Sequence, residues 1–573
     1  MNILGIRFGH DSAAALIVDG KIIADVAEER FTRIKNDTSF PINAISFCLK
    51  QAKLSSEDLD CLAVSSTQLV SEFPVFFDMS GIIPAGKKTS AYSKLKQFVK
   101  SNMYSGTNNS TVLPLYQKPL KLSPKCKIHL CEHHLAHAAS ACYTSGLEEK
   151  SLVVTMDGVG DGVSVGIWRF EKGVITKLKT FGPEASIGWF YGNSTEALGW
   201  RHASDEWKLM GLAPYGKPVP NALKGYHPVF KDGKLVRPHQ YGEFGRWKDH
   251  GANHYHGKDS IPLSRIMAEL GREDFSAEVQ RVAEEQAFNI IIPWLKKEGT
   301  RNLCCAGGCF LNVKLNQKLW YSGELDFQWV YPNPGDAGTA AGAALNAYYS
   351  QVAYKPVGKI ESVYLGPEYS TEEVRKVLDG RGIEYIYSEC PEKLAAEYLS
   401  RNLVIGWFQG RMEAGPRALG NRSILMSPLN PGNKDLINEK IKYREPFRPF
   451  CPSLLADKAG DYLINSREEL FMITSFDVTD GKRSKIPAVV HVDGTVRPQM
   501  VKEQVNMRYY NLIKEFGKIT GENIVLNTSF NIKGEPIVCN PREAIKCFYD
   551  TGMDVLVIDN FIIEKPAVRK TPK

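Results

Sequence analysis

No apolar run reaches the roughly 18 residues a helix needs to cross a bilayer, so no membrane span is expected in this 573-residue chain. None of its 12 cysteines forms a Cys-x-x-Cys pair. That removes the common zinc and dithiol motifs, and reduced thiols in a cytoplasmic setting are expected. Cys304, Cys305 and Cys309 lie close together but match no zinc spacing. The start, Met1 to Asp11, lacks a basic segment, a long apolar run and a small-residue cleavage site, and reads as a first strand instead of a secretory signal. There is no fixed-period repeat, and the only biased tail is Lys570 to Lys573. Charge of one sign is also scarce: 71 basic against 64 acidic residues leave a net +7. That slightly favours anionic ligands and gives no argument for nucleic acid. What is present, 43% hydrophobic and 24% charged residues, describes a soluble globular protein. The length calls for two or three domains.

The hydrophobic pattern predicts an α/β protein. Ile3 to Phe8, Ala13 to Val18 and Lys21 to Ala27 read as strands, the last two joined by the hairpin signal Asp19-Gly20. Ala44 to Ala52 reads as helix and Leu59 to Ser65 as strand. Residues 73–125 form a polar insertion with a short helix near Ser93 to Ser101, and 218–262 an irregular one rich in Gly, His, Tyr and Lys. Asp157 opens a glycine-rich turn after the apolar Leu152-Val153-Val154, and Val163 to Phe170 follows as strand. Ala277 to Lys297 is helical, Leu303 to Ala306 a buried strand, and a helix containing Asn312 comes next. Thr339 to Tyr349 is an alanine-rich helix whose N-terminus offers free N–H groups to an anion. Pro356 to Thr371 reads as a connector. Beyond it, Val404 to Phe408, Ala488 to Val492 and Ile524 to Asn527 read as strands of a second α/β unit.

His133 and His137 stand four apart in Cys-Glu-His-His-Leu-Ala-His-Ala-Ala, so on a helix they share one face. Alone, such a pair is commonly just polar. Asp157 and Asp336, both flanked by glycine, change that reading: two nitrogens and two carboxylates suit a divalent transition metal with open positions. Small-residue turns at Gly9-His10-Asp11-Ser12, Asp157 to Gly162, Ala306-Gly307-Gly308 and Gly335 to Gly338 let backbone N–H groups approach phosphate oxygens. Within the first turn, His10 could accept a proton from a substrate hydroxyl or simply bind a phosphate.

The second half is basic. Arg411, Arg417 and Arg422 are followed by Lys442, Arg444 and Arg448, then by His491-Val-Asp493-Gly-Thr-Val-Arg497 and Asn527-Thr528-Ser529-Phe530-Asn531. Guanidinium forks suit phosphate and carboxylate oxygens. Glu413, Glu445 and the apolar Pro-Phe-Arg448-Pro-Phe point to a folded anion pocket instead of a solvated face. Few aromatics are free to stack bases, and no RNA-binding module is recognisable.

At these motifs the chain resembles the NodU/CmcH/TobZ family of ATP-dependent O-carbamoyltransferases. The resemblance runs nearly end to end, through His10 to Ala15, Glu28 to Arg33, His133 to His137, Glu206 to Gly216, Gly410 to Ser423, Lys442 to Pro452, His491 to Gln499 and Asn527 to Asn531. It implies a TsaD-like unit of the actin/hexokinase superfamily over residues 1–355 and a YrdC-like α/β unit over 356–573. In the family, the second unit converts carbamoyl phosphate and ATP to carbamoyl adenylate. The first transfers the carbamoyl group to a hydroxyl of a small-molecule acceptor, a natural product or sugar.

Carried over by motif, His133, His137, Asp157 and Asp336 would hold iron(II) or a similar metal, and His10 would be the general base. Asp11, Gly307, Gly308 and Asn312 would lie on the nucleotide side. Arg417, Lys442, Arg448, Arg497, Asn527 and Ser529 would hold carbamoyl phosphate and ATP, the latter with Mg2+. The resemblance implies no nucleic-acid or membrane partner, and family members are often homodimers. Cys309-Phe310 departs from the small residues expected after Gly307-Gly308. Two alternatives share parts of this pattern: a tRNA threonylcarbamoyladenosine-type modification enzyme, and a non-enzymatic nucleotide-binding regulator.

Overall fold

The computed structural model describes residues 1–66, 106–107, 120–249 and 252–569, with the side chains of 106–107 and 246–254 excepted. The expected helix near Ser93 to Ser101 lies outside the described residues. In the first sheet, β1 (Asn2–Arg7), β2 (Ala13–Val18) and β3 (Lys21–Ala27) form an antiparallel meander. β4 (Cys61–Val64) pairs parallel with β1, β5 is Gly106–Thr107, and β6 (Lys127–Leu130) pairs parallel with β4.

The second sheet repeats this plan. β7 (Ser151–Gly160), β8 (Val163–Glu171) and β9 (Val174–Phe181) form a meander. After two hairpins, β10 (Val229–Lys231) with β11 (Lys234–Arg237) and β12 (Phe244–Asp249) with β13 (Ala252–Gly257), the chain adds parallel strands β14 (Asn302–Ala306) and β15 (Phe327–Val330). Apart from the edge strand β5, the orders β3-β2-β1-β4-β6-β5 and β9-β8-β7-β14-β15 share one connectivity, a duplicated α/β arrangement.

Two helices fill the space between the sheets. Thr339–Tyr349 packs on β1, β2 and β4, and His133–Thr144 packs on β7, β8 and β14. Their small residues permit a close approach. A Cβ on Gly5 would lie 1.9 Å from the Ala340 carbonyl oxygen, and one on Gly342 would lie 1.9 Å from that of Ala136. The cleft between the sheets therefore opens where β1, β7 and both helix N-termini converge.

In the C-terminal part an eight-stranded mixed sheet has the order β16-β26-β25-β17-β18-β24-β19-β23. Its strands are β16 (Ile386–Tyr387), β17 (Ile405–Phe408), β18 (Arg422–Met426), β19 (Cys451–Leu455), β23 (Gln499–Val501), β24 (Ile524–Ser529), β25 (Val555–Ile558) and β26 (Phe561–Glu564). A small sheet holds β20 (Leu463–Ile464), β21 (Phe476–Val478) and β22 (Thr495–Val496). Helices Pro391–Ser400 and Met507–Thr520 cover one face of the large sheet around Trp407, Tyr509 and Phe516.

Four expectations need correction. Asp157 does not open a turn: β7 continues to Gly160 through a register shift, and the turn comes at Asp161-Gly162. Residues 218–262 are not irregular throughout, because Asp232-Gly233, both at positive φ, closes a hairpin, and a second hairpin follows. Asn312 is not inside a helix; it caps the Val313–Tyr321 helix by accepting from the Leu315 N–H. Ala488 to Val492 is not a strand but a turn-rich segment before β22, its Ala488 N–H bonded to the Pro428 carbonyl.

The two parts are joined by arginines donating to backbone carbonyls. Arg30 reaches Gly415, Arg33 reaches Pro536 and Ile537, and Arg411 reaches Ile23, all at 2.7–3.0 Å. The Glu28 to Arg33 motif thus acts as a clamp.

Candidate active site

His133 and His137 begin their helix at the cleft, where Glu132 caps it by accepting from the His134 and Leu135 N–H groups. One helical turn places their Nε2 atoms 3.1 Å apart. Asp157 comes from β7 and Asp336 from the turn leading into Thr339–Tyr349. His137 Nε2 lies 3.2 Å from Asp157 Oδ2 and 3.7 Å from Asp336 Oδ1; for His133 the distances are 3.4 and 3.5 Å. One ligand atom from each of the four residues falls within 4.8 Å of all the others. Two imidazole nitrogens and two carboxylate oxygens converging this way fit a divalent transition metal.

Glycine makes room: a Cβ on Gly160 would meet the His133 ring at 2.0 Å, and one on Gly308 would meet Asp157 Oδ1 at 2.9 Å. His134, between the pair, faces away and is structural. Its ring nitrogens bond Thr155 Oγ1 and the Val163 carbonyl, and burial holds its pKa down near 3. Burial alone would lower His137, but hydrogen bonds and charge from Asp157 and Asp336 raise it to about 9. Burial would raise Asp157, yet both histidines hold it well below the carboxylate range. The two carboxylates thus favour positive charge at the cluster, whether on His137 or on a bound cation. Arg7, at the end of β1, donates to Asp336 Oδ2 at 2.7 Å; the sequence reading missed it.

His10 sits in the β1–β2 turn with Nε2 3.5 Å from Asp11 Oδ2 and Nδ1 buried without a partner. Burial works to lower its pKa, but Asp11, Asp336 and Asp157 outweigh that and Arg7, so the net shift is upward. Its ring meets Tyr255 edge-on, at 5.8 Å between centroids. Asp11 accepts from Asn36 Nδ2 at 2.7 Å. Glu206, which had no role assigned from sequence, lies nearby with its carboxyl raised by burial to about 7.

A single cavity of about 1320 Å³ extends from this cluster into the C-terminal part. His10, Asp11, Asp157, Gly308, Asn312 and Asp336 line one end, and Arg417, Lys442, Arg448, Arg497, Asn527 and Ser529 line the other. Gly307, His133 and His137 stand behind the wall. Gly307 has φ +101°, and a Cβ there would strike the Met156 carbonyl oxygen at 2.2 Å. The Asn312 carboxamide is spent on its cap and on Gln280.

At the basic end, burial followed by the neighbouring charge of Arg497 lowers Arg417 to about 9; burial followed by Arg448 does the same to Arg444. Such mutual repulsion calls for an anion. Arg448 stacks on Trp207 with its guanidinium 3.9 Å from the ring centroid. Lys442 is lowered by burial to about 7, and its Nζ donates to the Ser529 carbonyl, the Asn531 carbonyl and Asn531 Oδ1. It therefore shapes the Ser529–Asn531 loop as well as facing the cavity. Asn527 Nδ2 bonds the Ala418 carbonyl and Ser453, positioning β24 against the Arg417 loop. Arg422, from the same basic motif, is structural: fully buried, it donates to the Gln409, Gly410, Asn421 and Pro367 carbonyls. Glu413 shapes this loop by accepting from three backbone N–H groups. Trp207 was not singled out from sequence, and Arg444 was named only as part of the basic run, with no role of its own. Of the insertion aromatics, Tyr226 packs on the core and Tyr255 meets His10, while the Trp247 and His254 side chains lie outside the described residues.

A duplicated α/β domain carries the His2Asp2 cluster, and one cavity joins that cluster to the arginine-lined end of the C-terminal part. Family models place the chain: the carbamoyltransferase N-terminus matches residues 2–345 and the carbamoyltransferase C-terminus residues 396–565. The chain belongs to the carbamoyltransferase family and is an enzyme of that class. Nodulation protein NolNO of Sinorhizobium fredii is 36% identical over 97% of this chain and 79% of its own. Nodulation protein NolO of Bradyrhizobium diazoefficiens is 37% identical over 76% of this chain and 78% of its own, and nodulation protein U of that organism 27% over 93% and 92%. Among solved structures, component A of the (R)-2-hydroxyglutaryl-CoA dehydratase of Acidaminococcus fermentans covers 61% of this chain and 98% of its own, at 14% identity and a TM-score of 0.34. No helix among the described residues is long and apolar enough to cross a membrane.

Proposed function

We propose that this carbamoyltransferase forms carbamoyl adenylate from carbamoyl phosphate and ATP at the arginine end of the cavity, with release of phosphate and pyrophosphate. The carbamoyl group then passes to an alcohol oxygen of a small-molecule acceptor at the His10 end, leaving AMP. The observation that carries this reading is the continuity of one cavity between two sites of opposite charge. An activated carbamate hydrolyses readily, so a shared enclosed space protects it between steps. We assign the two half-reactions to residues 356–573 and 1–355 respectively.

Arg417, Arg444, Arg448 and Arg497 would hold phosphate oxygens and stabilise charge on the transferring group. A divalent ion held by His133, His137, Asp157 and Asp336, iron(II) in this reading, would supply Lewis acidity beside the adenylate phosphate. His10 would take the acceptor hydroxyl proton, and Asp11, 3.5 Å from its Nε2, would favour the charged ring that results. Mg2+ would accompany ATP.

Pyrophosphate release from the purified protein tests this. ATP with carbamoyl phosphate should give release without acceptor, and ATP alone should not. Release dependent on threonine and bicarbonate instead would support the tRNA-modifying alternative. No release under any of these conditions, with iron(II) and magnesium supplied, would sink the adenylate step.

A further inference from the structure

Two cysteines line the cavity, one toward each end. Cys309 follows Gly307-Gly308, and burial, then Asp157 and Glu206, push its thiol up. Cys451 begins β19 at the basic end, 6% exposed. Its Sγ accepts from Arg497 Nε at 3.0 Å and Nη2 at 2.8 Å. Two donors from one guanidinium form the fork that arginine ordinarily presents to a carboxylate or phosphate. The same sulfur lies within electrostatic reach of Arg417 and Arg444. Arg417 Nε is buried without a hydrogen-bond partner and lines the same end, whereas Arg448 Nε lies 3.1 Å from Glu445 Oε2. Among the described residues, no carboxylate forms an ion pair with Arg417, Arg444 or Arg497. The sulfur thus occupies a place built for an anion. A cysteine attacks as its anion, and cationic neighbours promote that attack.

We propose that Cys451 is a modification site: a thiol inside the anion pocket that reacts with small electrophiles and peroxides entering the cavity, and whose modified form closes the pocket to phosphate-bearing substrates. With a peroxide, the sulfur attacks one oxygen and the O–O bond breaks. Hydroxide or alkoxide leaves and takes up the proton that the thiol released, and a sulfenic acid remains, the sulfur oxidised by two electrons and the peroxide reduced by two. A small thiol reverses this by displacing water to form a mixed disulfide, which a second thiol cleaves. The added oxygen would lie among Arg417, Arg444 and Arg497. The inference rests on the reading of this end as the carbamoyl phosphate and ATP pocket.

The test uses the full-length protein and iodoacetamide, whose iodide leaves as the S–C bond forms. Each cysteine-containing peptide is quantified by mass spectrometry over time, with and without inorganic phosphate. Cys451 should react at least about tenfold faster than Cys309, the cavity thiol beside acids. By mass action, phosphate at ten times its dissociation constant should slow Cys451 by about tenfold, while the exposed Cys390 reacts at one rate throughout. Labelling of Cys451 no faster than Cys309 overturns the reactive thiol. Equal Cys451 rates with and without saturating phosphate overturn its place in an anion pocket. Arg417→Met, checked for folding by continued protection of the buried Cys142 and Cys304, should also slow Cys451; an unchanged Cys451 rate counts against the cationic surround as the cause. Pyrophosphate release on the untreated sample separates the two readings. Release with an inert Cys451 removes this proposal alone, whereas no release with a fast, phosphate-protected Cys451 removes the adenylate reading alone.

Discussion

At one end of the cavity, Asp157 and Asp336 face His133, His137 and Arg7 across 2.7–3.7 Å, and His137 is driven up to about 9. At the other, burial and then Arg497 drive Arg417 down to about 9, and burial and then Arg448 do the same to Arg444. The acidic end gathers donors from a helix, a strand and a turn, and all four converge on one point. The basic end spreads its cations along loops, and several are already partly engaged with Cys451, Asn438 or Trp207. One end is shaped for a cation and the other for an anion. A phosphate-bearing intermediate made among the arginines could be received at the acidic end only when a bound cation offsets the carboxylates.

The largest expected effect falls on the acidic end alone. His10→Asn should slow carbamoyl transfer by about 10²- to 10⁴-fold, the usual worth of a general base, with pyrophosphate release untouched. Equal loss of both steps would erase the distinction between the ends. Removing divalent metal with a chelator should likewise stop transfer, and elemental analysis of His133→Ala/His137→Ala should find the metal missing. Metal retained at the wild-type level would move the site elsewhere.

Next comes the basic end. Arg497→Ala should cut pyrophosphate release by about 10²- to 10³-fold, as for loss of one charge-stabilising donor. Full release in this variant would break the assignment.

The pH response should be smaller and of known sign. Lys442 has a folded value near 7, depressed by burial from 10.5. The unfolded chain then carries the extra proton between about pH 7 and 10.5, so Lys442 costs stability there, and that cost fades as pH rises through the window. An anion binds best to the charged form. Its affinity should therefore fall as pH rises above about 7, by at most about tenfold per unit for one linked proton, with proton uptake visible by calorimetry in buffers of different ionisation enthalpy. Pure stability gain without any loss of affinity would confine Lys442 to shaping its loop.

The smallest change is Arg448→Lys. Loss of the stack on Trp207 should cost about 1 kcal/mol and raise the KM for carbamoyl phosphate by a few fold. An unchanged KM would make that stack structural only.

Much of the N-terminal part was legible locally. Alternating and continuous apolar runs marked β1 to β4, and the Asp19-Gly20 turn takes the positive φ values its residues permit. The i, i+4 spacing chose His133 and His137 over His134, which the structure turns toward Thr155 and Val163. The hairpins at 229–257 were less visible because their strands are short, β10 and β11 are only partly buried, and β12 and β13 carry Gly and His in place of an apolar alternation. Ala488 to Val492 misled because apolar burial there comes from packing against the core, not from strand pairing. Arg422 looked like an anion ligand because a motif shows only residue type, and four carbonyls claimed it.

By itself, the sequence determined which side chains could do chemistry: spacing, glycine placement and family motifs depend on neighbours along the chain. The tertiary structure alone decided which of them share a space. Arg7 meets Asp336 across 329 positions, Trp207 lies under Arg448, and Cys451 lies under Arg497. Such pairings follow from how two duplicated sheets and a third mixed sheet close on one another. Close packing fixes these distances to a fraction of an ångström, and no local pattern records them.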